Sequence, residues 1–147
     1  MDGEIHANKG ALKVRICWNG YTVELVVTHL VAESRNEFTG WDKNEEIRQS
    51  QTQELLQFVQ DSCADADFVV LGGDFNFEAT HESYRFVTEA NFLDTGARNG
   101  IRRATWGHPE NTWGNAPGHL LDYVFLKTNK DELNVQGSST IPEKDFQ

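Results

Sequence analysis

The sequence predicts a mixed α/β fold, and three features predict it. A polar–apolar alternation runs into Asn19-Gly20 and out again into a β-branched strand. A stretch with apolar residues at helical spacing follows, and Phe68-Val69-Val70-Leu71 then forms a short, continuously apolar run. Hairpin, amphipathic helix and buried strand in that order imply strands and helices layered on one core.

The elements follow in chain order. Ala11 to Cys17 alternates apolar and polar residues, Asn19-Gly20 is a type I′ turn signal, and Tyr21 to Leu30 is β-branched and apolar, so the three form a hairpin. Val31 to Lys43 is polar and reads as a loop. Asn44 is placed to cap a helix, with Glu45 and Glu46 at the positive end of its dipole. Thr52, Leu55, Leu56 and Val59 share one face of that helix, which should end near Asp61 to Cys63.

Asp67 to Gly73 carries its apolar residues at consecutive positions, as a strand covered on both faces does. Val69 and Leu71 alternate with Phe68 and Val70, so a sheet packed on one side only leaves one of those pairs without a partner layer. Thr80 could cap a second helix carrying Tyr84, Val87 and Ala90. Asp94 to Gly118 reads as irregular, Leu121 to Leu126 as a strand, and Leu133 to Thr140 as one more.

Composition sets limits on function. The 147 residues suit one domain, and 38% hydrophobic content is enough for a core. A net charge of −10, with no basic cluster beyond Arg102-Arg103, argues against a dedicated nucleic-acid-binding module. A nuclease is still compatible, because a bound divalent cation supplies local positive charge. Cys17 and Cys63 read as two small buried thiols, and no CxxC or HExxH spacing suggests zinc. Met1-Asp2-Gly3-Glu4 has neither the basic nor the apolar region of a signal peptide, and the apolar stretches are strand-sized. Compartment is left open.

Three strand ends carry the candidate chemistry. Asp74 and Asn76, two apart after the buried strand, leave on the same side. The carboxylate could orient or deprotonate a water, and the amide could donate to a phosphoryl oxygen. Equally, the two could form only an Asx-type turn. His29 ends the strand Val23 to Val27, where it could contact a phosphate or simply be a satisfied strand-end histidine. Asp122 starts an apolar strand, where it could orient a histidine or an amide, or make a local hydrogen bond.

Together these stretches resemble the endonuclease/exonuclease/phosphatase (DNase I-like) superfamily. The resemblance rests on Asn8-Lys9-Gly10-Ala11-Leu12, Thr28-His29-Leu30-Val31-Ala32, Leu71-Gly72-Gly73-Asp74-Phe75-Asn76, Asn111-Thr112-Trp113 and Leu121-Asp122-Tyr123-Val124, in family order from about residue 8 to about residue 127. The Lys-Gly strand, the Thr-His-Leu-Val-Ala-Glu stretch, the polar loop before Arg48 and Asn111-Thr112-Trp113 are most similar to the neutral sphingomyelinase branch.

The resemblance implies that His29 contacts the scissile phosphate, Asp74 positions or activates the water, Asn76 binds phosphate, Asp122 supports them, and Arg48 is structural. It also implies Mg²⁺ as cofactor and a phosphodiester substrate, a sphingomyelin headgroup before nucleic acid. The family's usual basic residue two before the Asp-Tyr aspartate is Leu120 here, with His119 beside it.

The implied fold is part, roughly the second half, of a DNase I-like four-layer α/β sandwich. Residues 1–147 are then one incomplete domain. The amino-terminal half with the metal-binding Glu, and a terminal Ser-Asp-His element, are expected outside this chain. The isolated chain is expected to be marginally stable and inactive alone. Trp41, Trp106 and Trp113 fall in loops, as aromatics packed on the core or as a peripheral membrane contact. Two other functional classes stay open: a DNase- or AP-endonuclease-like nuclease, and a non-catalytic binding domain. His6, His81 and His108 read as surface residues.

Overall fold

The computed structural model describes residues 9–98, 100, 104–107 and 118–129. Strands β1 (Ala11–Trp18) and β2 (Tyr21–His29) form the expected antiparallel hairpin, with Trp18 opposite Tyr21. Asn19 and Gly20 both take positive φ, 48° and 82°. That pair of left-handed residues is what a two-residue type I′ turn requires. Helix α1 (Glu45–Ser62) carries the chain across to β3 (Phe68–Asp74), which lies parallel to β2. Helix α2 (Glu82–Glu89), the two-residue strand β4 (Leu93–Asp94) and the single-turn helix α3 (Thr95–Arg98) precede β5 (Asp122–Thr128). The five strands are ordered β1-β2-β3-β5-β4, and β5 runs antiparallel to β3.

Four local expectations need correction. Thr80 does not cap α2; His81 holds that position with extended backbone and no side-chain cap. The stretch from Asp94 is not wholly irregular. Asp94 pairs with Phe125, and its Oδ1 accepts from the N–H groups of Gly96 and Ala97, which starts α3. Cys17 is exposed on the hairpin, and only Cys63 is buried. Asn44 stands before α1 as expected, but its amide donates to the Ala32 carbonyl instead of capping the helix. The expected strand Leu133 to Thr140 lies outside the described residues.

The two faces of the sheet differ sharply. One is covered. Val26, Val69, Leu71, Tyr123 and Phe125 pack there with Leu55 and Val59 of α1 and Val87 of α2. Phe75, Phe77, Tyr84, Tyr123 and Phe125 form a cluster of rings with centroids 5.2–6.4 Å apart, mostly tilted or edge-on.

The opposite face is open. Cross-strand partners Leu12–Val27, Val14–Leu25, Ile16–Val23 and Trp18–Tyr21 lie on it, followed by Phe68 and Val70 of β3 and Val124 of β5. Leu12, Val14, Ile16, Trp18, Val27 and Val124 are all exposed. Phe68 and Val70 are therefore the pair without a partner layer, while Val69 and Leu71 are buried. On the covered face of the hairpin, Glu24 is fully buried and accepts from Arg15, whose guanidinium also grips Asp65. The polar residues of β1 thus point towards α1, and its apolar residues point away.

Candidate active site

Strand register brings three of the predicted residues into one row. His29 is opposite Asp74, and Asp74 is opposite Asp122, across the neighbouring strands β2, β3 and β5. Side chains alternate along strands, so all three share the open face, at its end. His29 Nε2 stands 3.6 Å from Asp74 Oδ2, longer than a hydrogen bond but within ion-pair range. Asp122 is exposed, and its backbone N–H donates to Thr105 Oγ1. No cost of burying an acid arises there, and no histidine is held by it among the described contacts.

Backbone detail fixes Asp74. Gly73 sits at φ +139°, and a Cβ there would fall 1.9 Å from the Thr28 carbonyl oxygen. Only glycine lets β3 approach β2 this closely just before the carboxylate. The Leu30 N–H then donates to the Asp74 carbonyl, and the Phe75 N–H to the Leu121 carbonyl, which ties the strand ends together. Asp74 Oδ1 accepts from the Asn76 N–H at 2.9 Å. This is the Asx turn, and it leaves Oδ2 directed at His29. Asn76 adopts φ 52°, a left-handed conformation that asparagine tolerates. One amide hydrogen goes to the Leu30 carbonyl at 2.9 Å, and the other is free to serve a ligand in the cleft.

Burial holds the Asp74 carboxyl above its ordinary value. The Asn76 N–H opposes that, the neighbouring Asp122 charge adds to it, and His29 and Lys9 weaken it. Asp74 thus sits among charges of both signs, with burial the main influence on its carboxyl.

His29, Asp74 and Asn76 line a cleft of about 370 Å³ together with Ala32, Glu33, Arg35, Glu78, His81, Trp106, His119 and Leu121. Asp122 does not line it. Glu78 was not singled out from the sequence, and Trp106, His119 and His81 were named there without a place in a cleft; His81, expected at the surface, is only partly exposed and lines the cleft. His119 Nδ1 and Glu78 Oε1 are 2.6 Å apart, and the Trp106 ring lies 5.8 Å from the His119 ring. Two backbone hydrogen bonds between Trp106 and His119 hold them side by side. His81 Nδ1 is buried without a hydrogen-bond partner. A usable signal was the pattern Asp74-Phe75-Asn76-Phe77-Glu78. Its phenylalanines are fully buried and its polar residues face the cleft, so the strand alternation outlasts the strand.

Arg48 is placed as a structural residue. Its guanidinium is buried, donating to the Asp42 carboxylate and to the Val31 carbonyl. Burial pushes the Asp42 carboxyl up, but donation from the Ser34 N–H, Arg48 and the Asn44 N–H outweighs it and leaves that carboxyl below its usual value. Trp41 and Trp106 are both more exposed than packed loop aromatics. Asn111, Thr112 and Trp113 lie outside the described residues.

Among the described residues, no three His, Cys, Asp or Glu side chains converge closely enough to hold a metal ion. Asp74 and Asp122 stand opposite each other across neighbouring strands and carry the oxygen donors that a hard cation prefers.

Imidazole, carboxylate and amide side chains thus gather at one end of the sheet, over a helix-covered core. Residues 5–142 match the endonuclease/exonuclease/phosphatase family, and the chain belongs to it. The fold is DNase I-like. The crystal structure of SmcL is similar at 26% identity, covering 86% of this chain and 46% of that one, with a TM-score of 0.66. A double mutant of beta toxin from Staphylococcus aureus with bound magnesium ions is 24% identical over 81% of this chain and 42% of its own, with a TM-score of 0.60. TDP2 from D. rerio, complexed with single-strand DNA product, is 21% identical over 86% of this chain and 49% of its own, also with a TM-score of 0.60. The chain spans about half the length of these structures. No match was found among curated proteins.

Proposed function

We propose that this chain forms one wall of a metal-dependent phosphodiesterase that acts on a sphingomyelin-type headgroup. The observation that carries the reading is the row His29–Asp74–Asp122 across three strands, with the Asn76 amide in the same cleft. In this reading Asp74 orients the attacking water and takes its proton. The free Asn76 amide hydrogen donates to a phosphoryl oxygen as charge develops on it. His29 faces the same phosphate, and Asp122 sets the charge around Asp74. Water adds to phosphorus, the bond from phosphorus to the ceramide oxygen breaks, that oxygen takes up a proton from solvent or from protonated Asp74 and departs as the ceramide alcohol, and phosphocholine is the other product.

Mg²⁺ is the cofactor we infer, on the family membership and the magnesium bound by the beta toxin structure. It would neutralise phosphoryl charge. The open sheet face supports a further part of the reading. The residues completing the site and holding the metal belong to a second layer packed on that face, so residues 1–147 are one incomplete domain and are inactive alone.

The likeness to TDP2 bound to DNA favours a nuclease as second reading. Glu33 and Glu78 in the cleft, and the net charge of −10, weigh against a long polyanion. The full-length protein should release phosphocholine from sphingomyelin, lose that activity in chelator, and leave plasmid DNA un-nicked. Nicking without lipid turnover would overturn the headgroup assignment, and neither activity would overturn the enzyme.

A further inference from the structure

The loop between β2 and α1 presents aromatic side chains to solvent in a way the core does not explain. Phe38 is 96% exposed and Trp41 56%. The loop is not loosely held. Arg35 bridges to Asp42 at its base. The Asn36 N–H donates to the Trp41 carbonyl, and the Gly40 N–H to the Asn36 carbonyl. Asn36 Oδ1 accepts from the N–H groups of both Phe38 and Thr39. Gly40 takes φ +68°, which closes the turn. Buried Arg48 then pins the base through Asp42 and the Val31 carbonyl. A hydrogen-bonded turn thus holds a phenylalanine and an indole outward, where collapse onto the protein would have hidden them.

Position adds to this. The same segment supplies Ala32, Glu33 and Arg35 to the cleft wall. Whatever receives Phe38 and Trp41 therefore lies beside the cleft. We propose that the Phe38–Trp41 turn is a membrane-contact device that inserts into the headgroup region of a zwitterionic, choline-headed lipid surface and brings the cleft against it. The inference rests on the phospholipid reading of the cleft.

Three observations select that occupant. Two side chains on a projecting tip are too little surface for a protein interface, which takes roughly 800 Å² per partner. A phenylalanine beside an indole suits the boundary between headgroups and acyl chains, where an amphipathic ring is favoured. Charge then decides the lipid. From Glu33 to Glu46, the acids Glu33, Glu37, Asp42, Glu45 and Glu46 outnumber Arg35 and Lys43. An anionic leaflet attracts basic segments and repels this one. Binding should come from ring insertion into a neutral surface.

The test uses the full-length protein and vesicles of phosphatidylcholine and sphingomyelin. Phe38→Ser should weaken sedimentation with these vesicles by roughly tenfold or more, as expected for one buried aromatic ring. Turnover of water-soluble 4-nitrophenyl phosphocholine and the thermal midpoint should not change, because an almost fully exposed side chain supports neither. Trp emission should shift to the blue on vesicle addition, and this shift should shrink in Trp41→Phe. Adding phosphatidylserine should weaken binding. Unaltered vesicle binding by both Phe38→Ser and Trp41→Ser would overturn the proposal and leave the tip to a protein partner. Stronger binding to anionic vesicles, or equal losses of vesicle binding and soluble turnover, would also overturn it. Vesicle binding through Phe38 in a protein that cleaves no choline phosphodiester would sink the proposed reaction and leave the membrane contact standing.

Discussion

At the scale of single residues, Asp74 is asked to be a carboxylate in surroundings that resist its charge. Burial is the main cause and the neighbouring Asp122 adds to it. The acid limb of the full-length enzyme's rate profile should therefore lie above the ordinary aspartate value of about 3.9. Asp122→Asn removes the like charge, so the limb should move to lower pH without reaching that value. An unmoved limb would separate Asp122 from Asp74. Asp74→Asn or His29→Ala should lower kcat by about two orders of magnitude or more. A carboxyl whose folded value is raised costs stability above that value and ceases to do so as pH falls through it. Asp74→Asn should accordingly raise the thermal midpoint at neutral pH while it removes activity.

Gly73→Ala should lower stability instead. A methyl 1.9 Å from the Thr28 carbonyl forces β2 and β3 apart. A loss of about 3 kcal/mol or more in urea unfolding is expected, with activity falling alongside. That Asp74 and Asn76 leave the strand end on the same side was legible from their two-residue spacing. The places of Glu78, His81 and His119 in the cleft wall were not, because they depend on how loops after the sheet fold back, which no local period records.

Between elements, the decisive contact is Arg48 of α1 with Asp42 of the preceding loop. Thr52 donates to the Arg48 carbonyl, Gln51 accepts the Val31 N–H, and Asn44 donates to the Ala32 carbonyl, so helix and loop share one network. Arg48→Ala would leave Asp42 buried without its counter-ion, at a cost of about 3–5 kcal/mol measured by urea unfolding. Asp42 has a lowered folded value. Its stabilisation is complete above the unfolded value of about 3.9 and disappears as pH falls through the folded one. The stability gap between wild type and Asp42→Asn should thus be widest near neutrality and shrink in acid. A gap that stays constant down to pH 2 would remove the pair from the account.

The major elements were readable because each repeats a signal: two positive-φ residues in the hairpin turn, a helical apolar face in α1, a run of buried residues in β3. Strand β4 and helix α3 span two and four residues. Neither is long enough to show a period. They exist through tertiary partners instead, with Tyr84 donating to Asp94 and Thr95 to the Val124 carbonyl.

For the whole molecule, the open sheet face decides how the 147-residue chain behaves by itself. The row of Leu12, Val14, Ile16 and Trp18 continues through Val27 and across to Val124, with exposures of 39% to 65%. Isolated apolar residues are ordinary on a surface, but a contiguous apolar face is a site for another surface. Strand β1 also leaves one edge without a neighbour among the described strands. Both features favour association of one copy with another, by face and by edge. The chain should therefore show concentration-dependent self-association in sedimentation velocity and a broad thermal transition. Ile16→Lys with Val14→Lys places charges in the middle of that face and touches nothing in the covered core. This pair should restore a monomer with little change in the thermal midpoint. A wild-type chain that stays monomeric at high concentration and melts sharply would mean that the face needs no cover, and the proposal of a second layer packed on it would go with it.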